Sequence, residues 1–146
     1  MKNILIIYPA IAMFTLTMSC IFYLGFHRYR AIHSKQVKIS YYRTYDEGSQ
    51  PQRLHLLARH VQNHFEVPPL FYIVVILIFV SNSVTVSAVI LSWLFVALRA
   101  AHSYIHLGSN NVSIRFFTFG ASLLVLSALW ITLLLSIVGV SSGYHP

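Results

Sequence analysis

Residues 59–69, RHVQNHFEVPP, place an arginine, an amide and a carboxylate at helical spacing just before a long apolar run. Asn63 lies four positions after Arg59, and Glu66 lies three positions after Asn63. A helix advances by about 100° per residue, so these three side chains and that of His55 share one face. This face offers charge of both signs and a hydrogen-bonding amide, which a helix that only contacts lipid does not need.

A second polar stripe lies in the next apolar segment. Arg99, His102 and His106 are spaced by three and four positions, so they also share one helical face. The connection between the two segments, residues 81–85, is short, which predicts antiparallel neighbouring helices. Glu66 and Arg99 then lie at similar depth. Charges inside a membrane usually face inward and pair, so we expect these two to be close.

A buried ion pair that holds two helices together would account for Glu66 and Arg99 alone. It does not account for the other polar residues predicted at the same level, which are Arg59, Asn63, His102, His106 and Arg115. Three arginines and one carboxylate leave an excess of positive charge in a partly dry cleft, and this excess favours an anion. A substrate that carries carboxylates and a lipid phosphate both fit the charge.

The composition indicates which elements position these residues. The chain has 146 residues, 57% of them hydrophobic and 9% charged, whereas about 25% are charged in a soluble domain. We predict a single all-α domain over residues 1–146, an integral membrane four-helix bundle with helices at about 4–26, 54–80, 84–106 and 115–140. The second helix reaches spanning length only with its polar part, and Pro68 and Pro69 should kink it.

Basic residues predict the orientation. Nine of the ten Lys and Arg lie between the first and second apolar segments, within the second, or beside the loop between the third and fourth. The positive-inside rule makes this side cytoplasmic and directs both termini outward. The first apolar segment continues past Cys20, so it is expected to remain as an uncleaved helix. The charges follow the membrane asymmetry and form no basic stripe with aromatic platforms, so no nucleic-acid partner is expected.

Turn residues mark the ends of the predicted helices. A turn-rich break is expected before the second helix, at Asp46, Glu47, Gly48, Ser49 and Pro51. Gly108 is placed to end the third helix, and Asn110–Asn111 to turn the chain into the fourth.

Histidine and cysteine raise the question of a metal. The chain has eight histidines, and His60 and His64, spaced i, i+4, could share an ion or face a haem iron. They lie away from the face of Glu66, so histidines at the membrane interface are the preferred interpretation. Cys20 is interpreted as a small buried apolar residue. No metal site is therefore expected.

The stretch that ends in two prolines resembles a known family signature. Arg59, Asn63, Glu66 and Pro69 match the pattern R-x-x-x-N-x-x-E-x-x-P of the MAPEG family, the membrane-associated proteins of eicosanoid and glutathione metabolism. The resemblance extends to most of the chain, through the segments RAAHSYIH and NNVSIR, the four apolar segments and the basic first loop. The chain resembles a bacterial-type member of the family, which implies a bacterial inner membrane. This resemblance implies a homotrimer that binds glutathione between neighbouring subunits near the cytoplasmic face.

The resemblance also implies roles for individual residues. Arg59 would bind a carboxylate of glutathione, Asn63 its backbone and Glu66 its amino group, while Arg115 would be catalytic and favour the thiolate. Arg99, His102 and His106 are predicted to contribute further to glutathione binding. His102 and His106 depart from the family pattern, because some members that use glutathione have tyrosines there.

Two functions are compatible with the resemblance. The first is a membrane-bound glutathione transferase or peroxidase, with glutathione as co-substrate, that conjugates or reduces hydrophobic electrophiles. The alternative is a non-catalytic MAPEG-like protein that binds lipid or a partner. The expected partners are further copies of the chain, membrane lipid and hydrophobic small molecules.

Overall fold

The computed structural model describes residues 2–45 and 49–142, and these residues form helices joined by short turns. No strand occurs in this part of the chain, so the prediction of an all-α membrane bundle is confirmed. A 3-10 helix at Lys2–Ile6 precedes six α-helices, which are α1 Ile7–His33, α2 Tyr41–Thr44, α3 Gln52–Glu66, α4 Pro68–Val80, α5 Val86–Leu107 and α6 Val112–Ser142. Four segments are long and apolar enough to cross a membrane, at Ile4–His33, Gln52–Val80, Val86–Leu107 and Val112–Gly139.

Helix α1 continues well beyond the apolar run that predicted it. It ends at His33, about two turns after the expected end. Leu24 and Ala31 of this helix are buried against Leu54 and Leu57 of α3, so tertiary packing maintains the helix where lipid no longer surrounds it. Three residues of the predicted turn-rich break, Asp46, Glu47 and Gly48, lie outside the described residues, while Ser49 and Pro51 directly precede α3.

The second span consists of two helices rather than one kinked helix. Helix α3 ends at Glu66, and Pro68 and Pro69 occupy the first two positions of α4. Proline lacks a backbone N–H, so the carbonyls of His64 and Phe65 lose the donors that a continuous helix would supply. At the first positions of a helix the same absence costs nothing, since those N–H groups have no intrahelical acceptor. The prolines therefore end one helix and begin the next.

Side-chain hydrogen bonds and turn residues define the two ends of α5 and the start of α6. The hydroxyl of Thr85 accepts a hydrogen bond from the backbone N–H of Ala88 at 3.1 Å, which caps the helix start. Gly108 follows the last residue of α5, and Asn110 has the left-handed φ of 48° that turns the chain toward α6. The side chain of Asn111 then accepts from the N–H of Ile114 at 3.2 Å.

The bundle has an apolar layer and a polar layer. In the apolar layer, Phe71 of α4 stacks on Phe95 of α5 with ring centroids 4.5 Å apart, and Leu129 of α6 is fully buried beside them. The polar layer lies at the end that carries the basic residues. Its buried members include one arginine, four histidines and two hydroxyl or thiol groups, namely Arg99, His60, His64, His102, His106, Ser103 and Cys20.

Candidate ligand-binding site

Arg99 occupies the centre of the polar layer. Its side chain is 0% exposed, and Nη2 donates a hydrogen bond to the backbone carbonyl of Asn63 at 3.0 Å. Asn63 lies in the last turn of α3, where carbonyls lack intrahelical donors and the helix dipole is negative. The guanidinium group also lies 5.8 Å from the ring centroid of Phe119. Arg99 therefore supplies a hydrogen-bond donor to the C-terminal end of α3, which Pro68 and Pro69 terminate.

The expected pairing of Glu66 with Arg99 is looser than predicted. The two charges interact electrostatically, but Nε and Nη1 of Arg99 are buried without a hydrogen-bond partner. Glu66 is exposed and accepts a hydrogen bond from Gln62 Nε2 at 3.1 Å. The reason is geometric: the end of α3 presents its own carbonyl to Arg99, while the Glu66 side chain points away from the bundle.

His102 is oriented by the start of α6. It is buried, and its Nδ1 donates a hydrogen bond to the backbone carbonyl of Arg115 at 3.2 Å. A carbonyl can only accept, so Nδ1 carries the hydrogen and Nε2 carries a lone pair. Nε2 is buried and has no hydrogen-bond partner. The ring thus presents an acceptor to the interior of the polar layer.

Arg115 lies at the edge of a small cavity that has both polar and apolar walls, and that we call the polar cavity because Asn63, His102 and Arg115 line it. Its Nη1 donates a hydrogen bond to the side-chain oxygen of Asn110 at 2.7 Å, which fixes the guanidinium beside the α5–α6 turn. The cavity measures about 210 Å³ and is lined by residues of three helices, Asn63, His102, Val112, Arg115, Phe116 and Phe119. Three of the residues predicted from the sequence therefore meet at one cavity.

The remaining predicted residues do not line this cavity. Arg59 and Glu66 are exposed on the outer face of α3, and Arg59 interacts electrostatically with His106. His106 is buried and lines a second cavity of about 290 Å³ near the α5–α6 turn. Arg99 has no exposed surface. Within one chain, the predicted residues therefore do not form one pocket: some are buried, some are half-buried and some are exposed. These are Arg99, His102 and His106; Asn63 and Arg115; and Arg59 and Glu66, respectively.

An apolar groove adjoins the polar cavity. It measures about 680 Å³ and follows the first turns of α6, where it is lined by Val112, Ser113, Phe116, Phe117, Gly120, Ala121 and Leu124. Val112 and Phe116 line both spaces. A polar cavity with an arginine thus opens beside a surface suited to a hydrophobic molecule.

Comparison with protein families agrees with this architecture. The model of the MAPEG family matches residues 6–135, nearly the whole chain. The chain belongs to the MAPEG family. Membership makes it an integral multi-pass membrane protein of a family of glutathione and eicosanoid metabolism. Comparisons with curated proteins and with solved structures gave no match.

This MAPEG chain contains polar contacts that sequence reasoning missed. Cys20 of α1 lies 3.4 Å from His60 Nε2 and 3.7 Å from His64 Nε2, both on α3. The hydroxyls of Thr17 and Ser103 contact the two nitrogens of His64, at 3.1 and 3.3 Å. The i, i+4 spacing of the two histidines was the visible signal. The contribution of α1 and α5 depends on tertiary packing, which spacing within one helix does not reveal.

Proposed function

We propose that this MAPEG protein is a membrane-bound glutathione transferase or peroxidase that acts on hydrophobic electrophiles. The observation that carries the proposal is the polar cavity with Asn63, His102 and Arg115, which shares two lining residues with an apolar groove. A thiol co-substrate and a lipophilic second substrate require two such spaces side by side. The groove faces outward on α6, so the second substrate would enter laterally from the bilayer.

The exposed face of α3 supports binding of glutathione between subunits. Arg59 and Glu66 are exposed on this face, and charged groups within a membrane-spanning segment usually face a protein or a water-filled space rather than lipid. In a homotrimer a neighbouring subunit would cover this face and enclose a ligand. By resemblance, Arg59 would bind a carboxylate of glutathione, Asn63 its backbone and Glu66 its amino group. Glutathione carries two carboxylates and one amino group, which matches this charge pattern.

Arg115 is the residue proposed to act on the thiol. A thiol with a pKa of about 8.5 is mostly protonated at neutral pH, and a nearby cation favours the thiolate. Its hydrogen bond to Asn110 holds the guanidinium in place without neutralising it. In conjugation, the thiolate forms a bond to carbon and a leaving group departs with the electron pair. In the peroxidase reaction, two glutathione molecules give a disulfide while the hydroperoxide becomes an alcohol and water.

Arg99, His102 and His106 would contribute to glutathione binding in different ways. Arg99 has no exposed surface, so it contributes positive potential rather than a direct contact. His102 lines the cavity and positions the backbone of Arg115. The basic end of the bundle would face the cytoplasm, where glutathione is supplied, with both termini outward in a bacterial inner membrane.

One observation favours the second candidate, a non-catalytic protein that binds lipid or a partner. Arg115 is already hydrogen-bonded to Asn110, and Glu66 to Gln62, so both polar groups have roles within the chain. In this case the apolar groove would hold a lipid chain and the arginines its phosphate.

A conjugation assay distinguishes the two candidates. The full-length protein, purified in detergent, is incubated with glutathione and a generic aromatic electrophile, while ultraviolet absorbance reports thiolate formation. Arg115→Ala should lower turnover and leave glutathione binding nearly unchanged, whereas Arg59→Ala should weaken binding. Arg43→Ala, in the exposed loop helix α2, is the matched control and should behave as the unmodified protein.

The outcome against the proposal is equally specific. Absence of both thiolate absorbance and glutathione binding at millimolar concentration, in protein that is folded, would favour the lipid-binding candidate. If Arg59→Ala and Arg115→Ala change only the yield of trimer, the polar cluster is structural.

A further inference from the structure

A second polar cluster lies between α1 and α3, apart from the cavity described above. Cys20, His60 and His64 are 6%, 1% and 2% exposed. One potential ligand atom from each residue lies within 4.8 Å of those from the other two. We propose that these three residues bind a zinc ion inside the bundle, with the hydroxyl of Ser103 as the fourth ligand. This site does not depend on the proposed glutathione chemistry.

The distances fit a tetrahedral zinc site. Bond lengths of about 2.3 Å for Zn–S and about 2.0–2.1 Å for Zn–N place sulfur and nitrogen about 3.6 Å apart in a tetrahedron. Cys20 Sγ lies 3.4 Å from His60 Nε2 and 3.7 Å from His64 Nε2. Ser103 Oγ lies 3.3 Å from His64 Nε2, as a fourth corner would. Three of the six distances between ligand atoms thus match those around a tetrahedral ion.

The surrounding hydroxyls orient the ligands. Thr17 Oγ1 lies 3.1 Å from His64 Nδ1, so a hydrogen on Nδ1 can be donated to it while Nε2 keeps its lone pair toward Cys20. Ser103 donates its own hydroxyl hydrogen to the carbonyl of Arg99 at 2.8 Å, which leaves its oxygen lone pairs available. A partner on the distal nitrogen of a histidine is the usual support of a metal ligand.

Protein atoms alone do not satisfy this cluster. Among the described residues, the buried Cys20 thiol contacts the ring nitrogens of His60 and His64 at 3.4 and 3.7 Å. The Cys20–His60 contact is a weak sulfur hydrogen bond in the absence of an ion. Structural zinc binds thiolate and imidazole ligands strongly enough to drive the folding of small domains, so an ion would stabilise this arrangement more than these weak contacts do.

The ligand set points to zinc, and charge limits the affinity. One thiolate with two imidazoles suits a borderline-soft ion with tetrahedral geometry. Binding releases the thiol proton of Cys20 to solvent, so one positive charge is added to a layer that already contains Arg99. We therefore expect weaker binding than at sites with several cysteines. Four protein ligands close the coordination sphere, so the role is to link α1 to α3 and α5.

Cobalt titration tests the site directly. The full-length protein in detergent, first stripped with a chelator, is titrated with Co²⁺ and then with Zn²⁺. We expect one Co²⁺ per chain, visible d–d bands of a tetrahedral ion, and a near-ultraviolet thiolate-to-cobalt band that Zn²⁺ abolishes. Cys20 is the single cysteine, so the thiolate band reports this site alone. Cys20→Ser should remove the band.

Two further variants test the site even if the Cys20→Ser variant does not fold. Thr17→Val removes the support of His64 but no ligand, and should lower Co²⁺ affinity about 10–100-fold. His33→Gln, an exposed histidine at the end of α1, is the control and should bind as the unmodified protein does. Absence of the thiolate band in folded, unmodified protein overturns the proposal. Equal affinity of Thr17→Val and the unmodified protein overturns the assigned geometry.

Discussion

Replacement of Arg99 tests whether the buried guanidinium holds the bundle together. Arg99 is 0% exposed. Among the residues that the structure describes, its guanidinium donates one hydrogen bond, from Nη2 to the carbonyl of Asn63, and Nε and Nη1 have no acceptor. We compare Arg99→Met, which keeps most of the side-chain volume, with Arg99→Ala, which does not. The first variant removes the charge, and the second removes the charge and leaves a cavity.

The magnitudes follow from these contacts. A hydrogen bond from a charged donor contributes about 1.5–3 kcal/mol, and the contact with the Phe119 ring about 0.5–2 kcal/mol. Against this, two buried N–H groups without partners cost about 1–3 kcal/mol each. The two sides nearly cancel, so Arg99→Met should change the free energy of unfolding by less than about 1.5 kcal/mol. Arg99→Ala should cost a further 2–5 kcal/mol or so through the cavity.

Reversible unfolding in mixed micelles, followed by tryptophan fluorescence, measures both variants. Arg43→Met, in the exposed loop helix, is the control and should lie within about 0.5 kcal/mol of the unmodified protein. A loss above about 3 kcal/mol for Arg99→Met, equal to that for Arg99→Ala, would refute the reasoning. The guanidinium itself, rather than its volume, would then stabilise the fold.

Two further substitutions test the ends of α5. Thr85→Ala removes the hydrogen bond to the N–H of Ala88 and should lower the free energy of unfolding by about 1 kcal/mol, whereas Thr85→Ser should change it little in the same micelle assay. Asn110→Gly keeps the left-handed turn but removes the acceptor of Arg115, so turnover in the conjugation assay should fall by up to about 10²-fold at nearly unchanged glutathione affinity. An unchanged turnover would mean that the Asn110 side chain does not position the arginine.

The sequence predicts the membrane spans well because length and hydrophobicity decide them. The four apolar segments and the short loop at residues 81–85 appear in the structure. The end of α1 could not be predicted from hydrophobicity, since burial of Leu24 and Ala31 against α3 extends the helix into polar sequence. The proline pair predicted an irregularity at the right place. The structure has two helices with a break at Val67, because both prolines fit the first positions of a helix.

The polar layer was predicted only in part, for a physical reason. Helical spacing correctly turns Arg99, His102 and His106 inward, because it fixes the direction of a side chain along one helix. It does not identify the partners on other helices. The acceptor of Arg99 is a backbone carbonyl, and every residue has one, so no side-chain pattern indicates it. Cys20 likewise meets the histidines of α3 only after the helices pack.

The hydrogen bond from Arg99 to α3 is accepted by the main chain. The attachment of α5 to α3 and the choice of side chain at position 63 can therefore change independently. Because the oxygen at position 63 belongs to the peptide and not to the amide side chain, a different residue there leaves the attachment of α5 intact. Selection could therefore alter the side chain at this position for a new ligand without weakening the scaffold. A substitution of Asn63 that keeps α3 helical therefore leaves the hydrogen bond from Arg99 in place, so its effect on the proposed binding of glutathione can be measured apart from this contact.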